Sequence, residues 1–318
     1  MIHPMDQPPS AEDIDRIGDG RVVASISGGK DSAAMSLWLT RHGIEHDRVF
    51  ADTGWEHPDT YTYLRGVLTE KLGPIDEVND GSGGFAATVR HKGMFPSRLR
   101  RWCTINLKMK PVREYLVARD DEPISAVGVR ALESKKRAEM GRWEFWDGGD
   151  CEIWRPLIDW SEADVIDIHT DEQLPPNPLY LRGARRVGCW PCIHSNKREL
   201  RLVGELSPGR IDVIRDLERV VAAAIEVRGK TVPGKTIGMF AATVPGRDTA
   251  KRGWPLIDEV MAWAKTERGG RQMMLVDTEP AGCVRWGLCE RAGDDDAGSD
   301  ADAVQNHRLW LPGAARRR

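Results

Sequence analysis

The chain has 318 residues, with 46 Lys and Arg against 49 Asp and Glu and a hydrophobic content of 40%. That length supports one large core or two ordinary domains, and a net charge of −3 excludes an all-over basic coat for nucleic acid. Apolar runs fall short of the roughly 18–20 residues that span a bilayer, so no membrane partner is expected.

The first ten residues are polar and proline-rich and lack the apolar core of a secretory signal. A cytoplasmic protein is therefore expected, with residues 1–20 a flexible lead. Arg21–Ser27 is a short β-branched run followed by glycines, which reads as a buried strand. From Asp31 to His42, apolar Ala34, Met35, Leu37 and Trp38 recur at helical spacing and stop at Gly43. Arg48–Asp52 is a second strand. Pro58 opens a helix that runs through Leu72 and closes at Gly73. Ile75–Val78 and Ile124–Val129 follow as third and fourth strands. Ser161-Glu162-Ala163-Asp164 carries the capping-box pattern of another helix start. Strand–helix alternation at this spacing implies an α/β fold, a doubly wound and mainly parallel sheet, over residues 21–200. Beyond Leu202 strand signals thin out. Ile211–Val227 and Pro255–Lys265 read as amphipathic helices, so residues 201–291 form a helical C-terminal portion. Residues 292–318, rich in Gly, Asp and Ser and ending in Arg316-Arg317-Arg318, read as a disordered tail.

One loop stands where chemistry is expected. Ser27-Gly28-Gly29-Lys30-Asp31-Ser32 joins the first strand to the first helix. Two glycines let the backbone turn sharply and bring N–H groups against phosphate oxygens. The helix that follows adds its positive end. Lys30 can neutralise anionic oxygens, and Ser27 and Ser32 offer hydroxyls. Asp31 suits a magnesium ligand or a helix cap better than a direct phosphate contact. The loop is neither the longer Gly-Lys-Ser/Thr loop nor the Rossmann Gly-x-Gly-x-x-Gly.

These six residues resemble the Ser-Gly-Gly-x-Asp-Ser signature of the PP-loop ATP pyrophosphatases. Other segments resemble the phosphoadenosine phosphosulfate (PAPS) reductase-like branch of that family, in the expected order. They are Asp52-Thr53-Gly54-Trp55-Glu56-His57-Pro58, Arg101-Trp102-Cys103-Thr104 with Lys108 and Pro111, Gly128-Val129-Arg130-Ala131-Leu132-Glu133-Ser134 with Arg137, and Trp154-Arg155-Pro156-Leu157. The resemblance spans about residues 20–200. It implies an adenine nucleotide alpha-hydrolase-like sheet that binds ATP with magnesium and sets Asp52, Thr53 and Gly54 beside the nucleotide. It also implies Lys30 and Asp31 at the reacting phosphates and Arg130 and Arg137 as anion clamps. An ion pair with Glu133 is the plain alternative for Arg130. The family's sulfonucleotide reductases use a cysteine in a C-terminal Glu-Cys-Gly-Leu-His motif, which is absent here; the nearest text is Trp286-Gly287-Leu288-Cys289-Glu290. An intact loop without that nucleophile favours ATP cleavage at the α-phosphorus, with adenylation of an acceptor.

Six cysteines are too few for a disulfide framework and suit metal or redox chemistry. Gly188-Cys189-Trp190-Pro191-Cys192 is a C-x-x-C flanked by basic residues. Relatives in this family hold a 4Fe-4S cluster with an adjacent cysteine pair and a C-x-x-C. Here Thr104 follows Cys103, so the resemblance implies Cys103, Cys189 and Cys192, with Cys289 as the preferred fourth ligand over Cys151 and Cys283. A four-thiolate zinc site, a redox pair Cys189–Cys192 and unliganded core cysteines stay open. The histidines carry no zinc-hydrolase spacing, and Asp167 and His169 read as surface positions on an amphipathic helix.

Charge is segregated along the chain. Residues 90–113 hold eight Lys and Arg and no acid, and Arg182, Arg185, Arg186, Lys197, Arg198 and Arg201 face only Glu199. Acids collect in Asp294–Asp302. This asymmetry points to an anionic ligand on one face, with a nucleic acid or nucleoprotein complex as a candidate partner beside the adenine nucleotide. The resemblance also implies association with mobile elements or defence loci. Three functions compete: an ATP pyrophosphatase acting in adenylation or sulfur transfer, a reductase of PAPS or adenosine phosphosulfate (APS), and a non-catalytic nucleotide-binding accessory protein. The oligomeric state is not legible in the chain.

Overall fold

The structure, a computed structural model, describes residues 2–119, 121–240, 244 and 246–266. Its centre is β1 (Val22–Ile26), where alternation sends Val22, Ala24 and Ile26 into one core and Val23 into another. The other strands are β2 (His46–Ala51), β3 (Asp76–Val78), β4 (Ile124–Val127), β5 (Trp143–Trp146) and β6 (Cys151–Trp154). They form one sheet in the order β3-β2-β1-β4-β6-β5. Every neighbouring pair is parallel except β5 with β6. The expected α/β, mainly parallel architecture holds, and the four strands read from the sequence fall within one or two residues of their places.

The β5–β6 hairpin was not read from the sequence. Its aromatic residues face a local partner rather than a long apolar run: Trp143 and Trp154 stack at 5.4 Å, and both indoles donate to Asp13 Oδ1. Asp13 belongs to the helix Ala11–Ile17, which Ser10 and Asp13 cap reciprocally. The segment expected as a flexible lead thus carries a helix whose buried carboxylate is bonded to two tryptophans.

Chain order turns back beside β1: β2 and β3 extend one way, β4 and β6 the other. A crevice opens at such a switch point, outside the carboxyl ends of the strands. One face of the sheet packs the helices Lys30–Arg41 and Glu162–Asp171 around Met35, Trp38, Leu39, Val165 and Ile168. The opposite face packs Leu116 and Cys151 against Val23 and Val49. A further core joins Trp55, Phe85, Trp102, Leu107 and Trp190 to the helices Lys197–Leu206, Pro208–Val227 and Ile257–Ala264. It draws on residues from both sides of position 200. Among the described residues no helix is long and apolar enough to cross a membrane. Residues 267–318, with the expected acidic tail and with Cys283 and Cys289, lie outside the described residues.

Candidate active site

β1 ends at Ile26 and the helix Lys30–Arg41 starts four residues later, so the chain must reverse within Ser27-Gly28-Gly29. Gly28 does so at φ +71°, in the left-handed region that glycine tolerates. Gly29 occupies the N-cap position without a side-chain bond, so Asp31 does not cap the helix. The loop is braced internally: Ser27 N donates to Ser32 Oγ at 3.1 Å, and Ser32 Oγ donates to Gly29 O at 3.0 Å. It is also held from a distance. Asn177 Nδ2 donates to Gly28 O (3.2 Å), His169 Nε2 lies 2.9 Å from Lys30 O, and Tyr180 Oη accepts from Lys30 N (3.1 Å). All three side chains are buried.

His169 corrects the expectation of a surface residue. It sits four residues after Val165 on the helix Glu162–Asp171, and both face the core. Burial lowers its pKa below the ordinary histidine value.

The Lys30 side chain is buried and sits between acids: Nζ is 3.2 Å from Glu162 Oε1 and 3.4 Å from Asp31 Oδ2. Burial works against its charge, yet Tyr180, Asp31 and Glu162 hold its pKa above the ordinary lysine value. Asp31 also pairs with Arg130 Nε, so its carboxylate is shared between two cations. Arg130 is buried, and its backbone N–H, not its guanidinium, bonds to Glu133. Glu133 pairs instead with Arg137.

A cavity of about 350 Å³ opens in front of the loop. Ser27, Gly29, Lys30, Asp31 and Ser32 line one side, and Gly128, Glu133 and Arg137 another. Arg186, Lys108, Cys189 and Cys192 complete the wall. Gly28 and Arg130 are not on the wall: Gly28 is turned toward Thr60 and Leu64, and Arg130 toward Asp31. Asp52, Thr53 and Gly54 do not line the cavity. Asp52 Oδ1 accepts from Gly54 N and Tyr61 Oη, and Thr53 Oγ1 donates to Glu56 and lies 3.8 Å from Cys189 Sγ.

The cysteine segment is docked by backbone. Glu56 and Cys189 form an antiparallel bridge, and Trp190 N donates to Trp55 O at 2.7 Å. Burial pushes the Cys189 thiol up, while Lys108 pulls against it. Burial likewise raises Cys103. Cys103 and Cys189 pack into the same aromatic core, and Cys192 shares the cavity wall with Cys189. Among the described residues the sulfurs of Cys103, Cys189 and Cys192 do not all lie within 4.8 Å of one another, as ligands of one zinc ion at about 2.3 Å would. Three half-buried thiols are the donor chemistry that an iron–sulfur cluster takes. Beside them, the buried Trp102 Nε1 has no partner among the described residues. Cys151 lies apart, in the separate core of Val23, Val49 and Leu116.

Sequence reasoning missed Glu162, Asn177 and Tyr180 as loop partners. The signal was slight: a helix-start pattern at Ser161 and an Asn-Pro step at Asn177, each a local cap. Lys108 and Glu56 stood inside recognised segments without an assigned role.

Residues 21–195 match the phosphoadenosine phosphosulfate reductase domain. An uncharacterized 37.8 kDa protein in the gpa 5′ region of Escherichia phage 186 is 31% identical over 84% of this chain and 96% of its own. An adenosine 5′-phosphosulfate reductase of Allochromatium vinosum is 34% identical over 54% of this chain and 67% of its own. Among solved structures, the PAPS reductase of Candida auris in its phosphate complex is 17% identical. It aligns over 58% of this chain and 98% of that one at a TM-score of 0.45.

Proposed function

The chain belongs to the phosphoadenosine phosphosulfate reductase domain family, and from that premise we propose that it is an ATP pyrophosphatase that adenylates an acceptor. The observation that carries this reading is a single cavity in which Gly29, Lys30 and Ser32 of an intact phosphate loop face Arg137 and Arg186. An acceptor oxygen attacks the α-phosphorus, the bond to the β-phosphate oxygen breaks, and pyrophosphate leaves with the electron pair. The protein's part is to orient and to neutralise charge. Lys30 and the helix N-terminus hold the departing phosphates, and Arg137 clamps the anion with its guanidinium fork. Asp31, oriented by Arg130, would hold magnesium, which would supply positive charge to the phosphates. Cys103, Cys189 and Cys192 would hold an iron–sulfur cluster at the cavity wall. The exposed arginines of residues 98–101, together with Arg185 and Arg186, suit a nucleic-acid acceptor.

Incubation with ATP and magnesium tests the reading. AMP and pyrophosphate should appear, and Lys30→Ala should reduce their release at least tenfold. ADP and phosphate, or no turnover with any acceptor, would reject it. A second reading, a sulfonucleotide reductase, is favoured by the likeness to adenosine 5′-phosphosulfate reductases. Release of sulfite from PAPS or APS with a thiol reductant would establish that reading instead.

A further inference from the structure

Lys30 is the residue that the phosphates of ATP must engage, and the protein already takes each of its polar groups. Its backbone N–H is bonded to Tyr180 Oη, its carbonyl lies against His169, and its ammonium sits between Glu162 and Asp31. The Tyr180 ring also lies near the ammonium, 5.3 Å from Nζ to the ring centroid. Glu162, His169 and Tyr180 all come from one stretch of chain, the helix Glu162–Asp171 and the short helix Pro178–Leu181.

Two of these partners sit where phosphate oxygens would bind. An acceptor on the first N–H of a helix and an anion on the loop lysine are the two contacts that a phosphate makes at such a loop. Asp31 is a poor candidate to leave, because its carboxylate also holds Arg130. Glu162 is a good one: its side chain is 34% exposed and water can solvate it on release. Tyr180 shares the cavity wall with Gly29 and Lys30, so its hydroxyl occupies the Lys30 N–H that an incoming oxygen would take.

Resting on the ATP reading above, we propose that Glu162 and Tyr180 are positioning residues that hold Lys30 in the geometry of a phosphate site and yield their hydrogen bonds to the nucleotide. Binding at the loop is then an exchange of one acceptor set for another. Glu162 competes with phosphate for the same ammonium, and its own charge repels the incoming anion. Removing the competitor must tighten the complex, which a loosened fold does not do.

Calorimetric titration of the full chain with pyrophosphate, and in parallel with adenosine, tests this. Glu162→Gln should bind pyrophosphate about two- to fivefold more tightly, the scale of a partly exposed ion pair. Adenosine, which carries no phosphate, should bind the variant and wild type alike. Tyr180→Phe keeps the ring, removes the acceptor and should shift pyrophosphate affinity in the same direction. Unchanged or weaker pyrophosphate binding by Glu162→Gln overturns the exchange. Wild-type protein that binds neither pyrophosphate nor ATP would instead defeat the ATP reading itself.

Discussion

Gly128 shows how closely single atoms set this site. It follows β4 beside the start of the loop helix, and a Cβ there would stand 2.7 Å from the Asp31 carbonyl oxygen and 3.0 Å from Ser32 Cα. Both neighbours are backbone, so nothing can swing aside. Gly128→Ala should push Asp31 and Ser32 outward, costing about 1–3 kcal/mol and weakening ATP binding. Urea denaturation and nucleotide titration of the same variant check the two effects. A variant as stable as wild type that binds ATP normally would show that the loop is not pinned here. The loop itself was legible, because strand, glycine pair and helix are contiguous and each has a local signal. Its buttresses were not. His169, Asn177 and Tyr180 lie more than 100 residues downstream, and what marks them is the unpaired backbone they satisfy, which no periodicity records. For His169 the spacing from Val165 was available, but a histidine at an apolar position reads as an exception until its carbonyl partner is known.

At the scale of elements, the helix Pro208–Val227 was legible from its apolar stripe, while the carboxylate inside that stripe was not assigned a role. Glu218 is buried and accepts backbone N–H bonds from Met239 and Ile257, so it ties the helix to the segment that leads into the helix Ile257–Ala264. Burial raises its pKa from 4.5 to about 7, assisted by Asp258 and opposed by the two N–H bonds and Arg215. Below pH 4.5 the carboxyl is protonated folded and unfolded, and its contribution is complete. Between 4.5 and 7 the unfolded chain loses the proton first, so stability falls as pH rises, by on the order of 3 kcal/mol at most. Buried His46 acts in the opposite sense: its pKa drops from 6.5 to about 4, and its stabilisation is lost as pH falls through that window. The two slopes partly cancel in wild type. Glu218→Gln, whose amide oxygen can keep the bonds of Oε1, isolates the first. Its stability relative to wild type should rise steadily from pH 4.5 to 7 in urea midpoints. A constant difference would mean that Glu218 titrates normally in the fold.

For the molecule as a whole, the sequence pattern predicts the parallel sheet because each strand–helix repeat is local, whereas the placing of the cysteines depends on packing between distant segments. Cys103, Cys189 and the C-terminal helices share one aromatic core, with Cys192 at its cavity edge, while Cys151 lies in a separate core with Val23, Val49 and Leu116. That separation makes the metal question decidable. Protein purified without oxygen should carry about four iron and four sulfide per chain and absorb broadly in the visible. Cys103→Ser, Cys189→Ser and Cys192→Ser should each strip most of the iron, because loss of one thiolate opens the cage. Cys151→Ser should keep it, since Cys151 packs in a separate core with Val23, Val49 and Leu116. Cys289→Ser tests the fourth position, which lies outside the described residues. Stoichiometric zinc in place of iron would require the three sulfurs to close on a single ion, against their present spread. Iron that survives all three substitutions in the shared core would exclude these cysteines as ligands. Loosening that core from the C-terminal side gives an independent check: Leu217→Ala leaves every thiol intact but opens a cavity costing about 2–5 kcal/mol. If the helices pack the cluster's shell, this variant should lose iron faster than wild type on dilution into chelator, while the loop of residues 27–32, which packs against the other core, keeps its affinity for pyrophosphate.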